Sequence, residues 1–225
     1  MDAATERLGR ILDRIDKAAR RSGRKSQDIT LVAVTKTIPF DNILPFLQAG
    51  VGHVGENRVQ EALTKYSMGL DEEFKRPKLH LIGQLQSNKA KKAVAVFDMI
   101  QSLDRLPLAE DLNRHALEAG KKLPCLIEVK ISPEESKSGL DPEQLEDFVT
   151  RMKGMTSLDL QGLMGIAPQT RTSEEARPFF RRLRRLFETA KLNVLSMGMS
   201  SDFEVAIEEG STMVRIGTAL FGARA

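Results

Sequence analysis

Short, almost uninterrupted apolar runs recur along the chain and alternate with stretches of helical periodicity. The eight apolar runs span residues 31–36, 53–56, 79–83, 99–103, 126–131, 160–167, 194–199 and 213–217. Because these runs are continuous rather than alternating in hydrophobicity, they predict strands that are covered on both faces, as in a parallel sheet. Start signals such as Asp141-Pro142-Glu143, followed by apolar residues three or four positions apart, predict helices between the strands.

Eight strand–helix repeats predict a single (β/α)8 barrel (TIM barrel), because closing the sheet leaves no exposed edge. An open doubly wound sheet is the alternative, but no G-x-G-x-x-G motif follows the first run. An amphipathic segment over residues 4–21 precedes the first strand and predicts an extra N-terminal helix. Its apolar positions are Leu8, Ile11, Leu12, Ile15 and Ala19. The 225 residues contain no linker-like segment, so residues 1–225 are predicted to form one domain.

Composition and charge exclude several classes of protein. The apolar content is that of a globular chain, which excludes a largely disordered or fibrous protein. The net charge is only +3, and the densest basic cluster, residues 181–185, lies in a helical pattern with apolar partners. This cluster is interpreted as a solvated helix face, so no nucleic-acid partner is expected. Without an 18-residue apolar run or a signal peptide, the sequence favours a cytoplasmic protein with no membrane segment.

The cysteine and the three histidines do not indicate a disulfide or a metal site. The single cysteine, Cys125, lies in an apolar run and is interpreted as a small buried hydrophobe. No metal-ligand spacing links His53, His80 and His115, so no metal site is expected. His80, early in a predicted strand, is interpreted as a hydrogen-bonded interior residue.

Barrels carry their functional sites at the carboxyl ends of the strands. The first predicted strand, residues 31–36, ends on Lys36. An amine at an apolar barrel mouth is partly desolvated, which lowers its pKa and allows it to react with an aldehyde. A lysine that simply extends to solvent is the alternative.

The ends of the last two predicted strands are candidates for an anion site, because barrels often bind phosphate in these two loops. The candidate residues are Ser200, Ser201, Gly217 and Thr218. They offer hydroxyl groups and a close backbone approach. A helix cap and a tight turn would use the same residue types, and the sequence leaves both interpretations open.

Arg215 lies between Val214 and Ile216, inside a predicted strand. A cation at this position either faces a ligand in the barrel mouth or pairs with a carboxylate, for which Glu128 is the candidate.

Seven stretches, taken in order, resemble one known family. They are residues 32–36 (VAVTK), 55–61 (GENRVQE), 80–89 (HLIGQLQSNK), 136–139 (SKSG), 162–164 (GLM), 195–200 (LSMGMS) and 214–222 (VRIGTALFG). Together they make the chain similar to the pyridoxal-phosphate homeostasis proteins of the YggS/PROSC type. That family resembles the barrel domain of alanine racemase without its second domain.

The resemblance implies that Lys36 carries pyridoxal 5′-phosphate (PLP) as an internal aldimine. It places Arg215 beside the pyridine nitrogen and Asn57 near the cofactor ring, and it makes Lys137 a second cofactor-handling lysine. It assigns the phosphate contacts to Ser200, Gly217 and Thr218, with backbone help near Ser201.

An arginine beside the ring nitrogen leaves PLP a weak electron sink, whereas most PLP enzymes place a carboxylate there. The single tyrosine, Tyr66, is predicted to lie away from the ring. We therefore expect a monomeric PLP carrier without catalytic residues that hands the cofactor to apo forms of PLP-dependent enzymes. The alternatives are a small amino-acid racemase, with Lys36 and either His80 or water as its bases, and a barrel that binds another phosphorylated metabolite without a covalent bond.

Overall fold

The computed structural model describes residues 3–66, 76–134 and 138–222, and it has the predicted barrel architecture. Eight parallel strands close into one barrel in chain order, because the first strand also pairs with the last. The strands are β1 (Thr30–Val34), β2 (His53–Glu56), β3 (Lys78–Leu81), β4 (Met99–Leu103), β5 (Leu123–Glu128), β6 (Leu158–Met164), β7 (Val194–Ser196) and β8 (Met213–Ile216). Closure leaves no unpaired sheet edge within this barrel.

Helices alternate with the strands and form the outer layer. In the described part of the chain they are α1 (Ala3–Arg21), α2 (Phe40–Gln48), α3 (Val59–Tyr66), α4 (Ala90–Val96), α5 (Leu106–Glu118), α6 (Leu145–Met152), α7 (Arg177–Ala190), α8 (Phe203–Glu208) and α9 (Thr218–Phe221). Their apolar faces pack against the outer face of the barrel and form the main core. None of the described helices is both long and apolar enough to cross a membrane.

The extra N-terminal helix is confirmed, and α1 packs against α8 and α9. Arg14 donates two hydrogen bonds of 2.9 Å to Glu204 and lies 4.6 Å from the ring centroid of Phe203. The predicted apolar face is wrong at Leu12, which is 47% exposed. The other four predicted positions, Leu8, Ile11, Ile15 and Ala19, are buried. Leu12 lies outside the buried stripe, because one face of a helix cannot contain both Ile11 and its neighbour Leu12 at its centre.

Several predicted strands extend too far at their carboxyl ends. β1 ends at Val34, two residues before Lys36, and β7 ends at Ser196. Apolar residues beyond the strand ends, such as Ile131, Ala167 and Met197, are still buried, because the loops fold back onto the core. Hydrophobicity therefore continues where the ladder of backbone hydrogen bonds has stopped.

Two further sequence interpretations are confirmed. The basic segment is part of α7, which buries Phe180 and Leu183, while Arg177 pairs with Glu208 at 2.7 Å. Cys125 is a buried free cysteine, and burial raises the pKa of its thiol. The arginine cluster thus belongs to a helix surface, and the cysteine belongs to the core.

Candidate functional site

A cup of about 600 Å³ opens at the carboxyl ends of the strands. Its lining residues are Val34, Lys36, Asn57, Ile82, Ile166, Met199, Ser200, Ser201, Arg215, Gly217, Thr218 and Ala219. Seven predicted site residues therefore meet in one cavity, although they come from β1, β2, β7 and β8 and the loops that follow them. Lys137 lies outside the described residues.

The apolar walls of the cup were not predicted. Ile82 and Ile166 follow β3 and β6, and Met199 follows β7. The sequence does contain a signal for Ile82. Alternate residues of a strand point to the same side, so Ile82 faces the barrel interior as His80 does.

Lys36 lies half-buried in the turn after β1 rather than at the end of the strand itself. The next residue, Thr37, has a left-handed φ of 62°, which is unusual for a branched residue. Its N–H group donates to the carboxylate of Glu61 on α3. The turn that presents Lys36 to the cup is thus fastened to the helix layer behind it.

A buried cluster holds the other side of this turn. The Lys65 ammonium group donates to the Thr35 carbonyl at 2.6 Å, to Glu56 at 3.0 Å and to Glu61 at 2.6 Å. The Thr35 hydroxyl donates to Glu56 Oε1 at 2.7 Å and lies 3.0 Å from the Tyr66 hydroxyl. Burial raises the pKa of Glu56, whose Oε2 atom has no hydrogen-bond partner in the described part of the chain. Tyr66 therefore supports the turn from behind and, as predicted, does not line the cup.

The loops after β7 and β8 meet at one serine hydroxyl. The backbone N–H groups of Gly217 and Ala219 donate to Ser200 Oγ at 3.3 and 3.2 Å. The residue that precedes α8 is Asp202, whose carboxylate accepts the N–H of Met199 at 2.6 Å. Asp202 rather than Ser200 therefore precedes α8, whereas Ser200 Oγ accepts the N–H groups at the start of α9. The hydroxyl proton of Ser200 is the donor that this arrangement can offer to an anion in the cup.

Asn57 is placed in the cup by a close backbone contact. A Cβ atom on Gly83 would lie 2.5 Å from the Asn57 carbonyl oxygen, so only glycine fits at position 83 without a shift. The carbonyl of Gly83 in turn accepts a 2.6 Å hydrogen bond from Ser102 on β4.

Arg215 is buried at the floor of the cup, with 3% of its surface exposed. Its Nη1 donates to Ser196 Oγ at 2.6 Å, and its Nη2 donates to the Gly165 carbonyl at 3.0 Å. Burial lowers the pKa of Arg215 to about 10, which leaves the guanidinium charged at neutral pH. The two alternatives for this residue both hold in part, since Arg215 lines the cup and is also attracted electrostatically by Glu128. Burial raises the pKa of Glu128 to about 7, and the attraction of Arg215 opposes this shift.

Beneath the cup, polar side chains continue through the barrel interior. Ser196 donates to Gln101 Oε1 at 2.7 Å, and Gln101 Nε2 lies 2.9 Å from His80 Nδ1. His80 Nε2 lies 2.9 Å from His53 Nδ1. Burial lowers the pKa of His80 to about 3. The predicted interior role of His80 is confirmed, and His80 does not line the cup.

Apolar side chains fill the barrel interior beside these polar groups. They are Val32, Met99, Leu126, Met164 and Met213. Among the residues that the structure describes, no three His, Cys, Asp or Glu side chains converge where they could hold a metal ion.

Comparison with known proteins gives one consistent family. The model of the alanine racemase N-terminal domain matches residues 7–225. The chain is 43% identical to the pyridoxal phosphate homeostasis protein of Aquifex aeolicus, over 98% of both chains. It is 40% identical to the protein of the same name from Escherichia coli K12, over 100% of this chain and 98% of the relative.

A solved structure with the same fold is PipY of Synechococcus elongatus with PLP bound. Its TM-score is 0.85 at 38% identity, and the alignment covers 97% of this chain and 100% of PipY. The barrel, the cup and this full-length similarity together lead to one conclusion: the chain belongs to the pyridoxal phosphate homeostasis protein family and matches the alanine racemase N-terminal domain.

Proposed function

We propose that this protein binds pyridoxal 5′-phosphate reversibly through Lys36 and serves as an intracellular carrier of the cofactor, without robust catalysis of its own. The amine of Lys36 would attack the aldehyde carbon, a C=N bond would replace the C=O bond, and water would leave. Bound in this way, PLP would supply an aldehyde-derived C=N group and an electron-accepting ring.

One observation carries this proposal: a single cup contains a lysine amine, a buried guanidinium and the hydroxyl side chains of Ser200, Ser201 and Thr218. The N–H groups of Gly217 and Ala219 orient Ser200 Oγ, so that its hydroxyl proton would bind the phosphate, and Ser201 and Thr218 border the same region. These groups match a phosphorylated aldehyde, which requires an amine at one end and hydrogen-bond donors at the other.

The same cup favours holding the cofactor over transforming it. Arg215 would donate to the ring nitrogen and so keep it unprotonated, whereas a carboxylate would stabilise the protonated, electron-withdrawing form. The described residues that line the cup include Lys36 but no Tyr, His, Asp or Glu that could act as a second acid or base. His80, which could have been the second base of a racemase, lies in the hydrogen-bonded barrel interior.

The form of the rim suits transfer of the cofactor to other proteins. Ser201 and Thr218 are exposed at the edge of the cup, so an apo-enzyme could reach the phosphate end of bound PLP. We propose that the protein acts as a cytoplasmic monomer whose recipients are apo forms of PLP-dependent enzymes.

Reduction with borohydride tests the attachment. The protein is incubated with PLP, reduced and digested, and the modified peptide is identified by mass spectrometry. We expect the label on Lys36, and we expect Lys36→Ala to lose the visible absorption band while Lys17→Ala, a surface control, keeps it. A label elsewhere in the wild-type protein, or no label, would refute the proposal. Residual label on Lys137 in Lys36→Ala would support its predicted secondary role.

Exchange of the α-proton of free amino acids in D₂O tests the absence of robust catalysis. We expect the PLP-loaded protein to exchange this proton little faster than free PLP does. Rapid exchange that disappears in Lys36→Ala would establish the racemase alternative.

A further inference from the structure

Four hydrogen bonds join the cup to the opposite end of the barrel. They run from Arg215 to Ser196, Gln101, His80 and His53, with lengths of 2.6, 2.7, 2.9 and 2.9 Å. Barrel interiors are usually filled by layers of branched apolar side chains. A continuous polar chain in this position therefore requires a reason, because each of its members would be costly to bury without a partner.

The donor and acceptor capacities of these groups fix the direction of the hydrogen bonds along this series. A guanidinium can only donate, so Ser196 Oγ accepts from Arg215 and its own proton goes to Gln101 Oε1. The amide nitrogen of Gln101 can only donate, so His80 Nδ1 must accept. His80 must then carry its proton on Nε2 and donate it to His53 Nδ1.

Both histidines are therefore required to be neutral. A proton on Nδ1 of His80 would face the Gln101 amide donor, and a proton on Nδ1 of His53 would face the His80 donor. The surroundings favour the neutral forms, because burial lowers the pKa of both rings and Lys78 lowers both further. Asp98 opposes this shift at His53.

The amide orientation of Gln101 has independent support within the barrel. Its Nε2 atom also lies 3.1 Å from the Met213 sulfur, a weak acceptor that would not stabilise the amide oxygen in that place.

We propose that Ser196, Gln101 and His80 are positioning residues for Arg215. They hold its guanidinium at the floor of the cup through a single-direction chain in which His80 and His53 both carry their proton on Nε2. This inference deepens the proposed function, because Arg215 is the residue that would face the cofactor ring.

The first test needs no cofactor. In the protein with ¹⁵N-labelled histidine, NMR at neutral pH is expected to show His80 and His53 as neutral rings with a protonated Nε2 and an unprotonated Nδ1. A positively charged ring, or a proton on Nδ1 of His80, would overturn the proposed direction of the chain.

The second test breaks the chain next to Arg215. Ser196→Ala removes the hydroxyl that Arg215 binds, and we expect about tenfold weaker PLP binding, because a hydrogen bond to a charged group is comparable to one decade in affinity. The pH midpoint of the visible absorption band of bound PLP is also expected to shift. Ser196→Thr, which keeps the hydroxyl, is expected to restore both properties.

Ser211→Ala is the matched control. Ser211 is an equally buried serine beside β7, but its hydroxyl contacts only backbone carbonyls. It is expected to leave both the affinity and the pH midpoint unchanged. If Ser196→Ala does not fold, Gln101→Met provides the same test with similar side-chain volume.

Wild-type affinity and pH midpoint in a folded Ser196→Ala or Gln101→Met variant would overturn the positioning role. If the wild-type protein itself gives no visible band with PLP, the proposed carrier function fails. The NMR test on the cofactor-free protein still decides the histidine tautomers in that case, so the two failures can be told apart.

Discussion

At the scale of single residues, Arg215 and Glu128 form a pair of buried opposite charges. They attract each other, but the hydrogen bonds of the guanidinium go to Ser196 and Gly165. Within the described residues, the Ser138 hydroxyl donates to this carboxylate at 3.4 Å. Burial outweighs this contact and the attraction of Arg215, and it raises the pKa of Glu128 to about 7.

Glu128→Gln is expected to change how stability depends on pH. Because the pKa of Glu128 is higher in the folded than in the unfolded state, the folded protein binds more protons between about pH 4.5 and 7. The protonated carboxyl of Glu128 therefore favours the folded state. This contribution to the free energy of unfolding is fully present below pH 4.5 and is lost as pH rises through 7. Relative to wild type, the variant should gain up to about 3 kcal/mol in free energy of unfolding between pH 5 and pH 8, as measured by urea denaturation.

The exposed Glu143→Gln is the control for replacing a carboxylate by an amide outside the buried interior. A pH-independent difference for Glu128→Gln would show that the carboxyl is already charged in the folded protein at pH 5.

At the scale of elements, the turn after β1 depends on the cluster behind it. Glu56 and Lys65 are almost entirely buried, with 0% and 11% of their side chains exposed. Lys65 is the cation that compensates the Glu56 carboxylate, and it also holds the Thr35 carbonyl directly before Lys36.

Lys65→Met is expected to destabilise the protein by about 3–5 kcal/mol, because it leaves a buried carboxylate without its cation. The double variant Lys65→Met/Glu56→Gln should recover much of this loss, since it removes the uncompensated charge as well. Both effects are measured as changes in the free energy of unfolding.

Lys17→Met provides the comparison, because Lys17 pairs with Asp13 on the exposed face of α1. An exposed pair contributes less than about 1 kcal/mol. An equally small effect for Lys65→Met would mean that the cluster does not support the turn.

The sequence predicted the elements well and their ends less well. Apolar periodicity located all eight strands, because burial on both faces leaves a continuous run. It could not show that β1 ends before Lys36, since hydrophobic loops also pack on the core. The seven cup residues followed from the rule about strand ends and from the family resemblance, and the structure brings them together, while their roles toward PLP stay predictions.

Sequence patterns alone could not predict the buried polar network inside the barrel. Gln101 and Ser196 have ordinary positions in apolar runs, and only the closed barrel shows that they meet His80 and Arg215. The partnership of Lys65 with Glu56 likewise depends on how α3 packs on the barrel, which periodicity does not specify.

At the scale of the whole molecule, the closed barrel and its helix layer cover nearly all large apolar side chains. In the described residues, only Leu12 and Leu117 are large hydrophobics that remain exposed. Two such residues do not form the extensive apolar patch that a stable subunit interface usually needs.

Light scattering after size-exclusion chromatography is therefore expected to give the mass of one chain, 25.0 kDa, independent of protein concentration. Addition of PLP should not change this mass. A stable mass of about twice that value would contradict the proposed monomer, and Leu117→Ser would then show whether this side chain forms the contact.

The docking of α1 onto α8 has a consequence for biosynthesis. Arg14 and Glu204 are 190 positions apart, so α1 is synthesised long before α8, the helix that covers part of its apolar stripe. At translation rates of about 5–20 residues per second, this delay is about 10–40 s. During that time α1 exposes the part of its apolar stripe that α8 later buries, so a chain that stops before α8 leaves this surface uncovered.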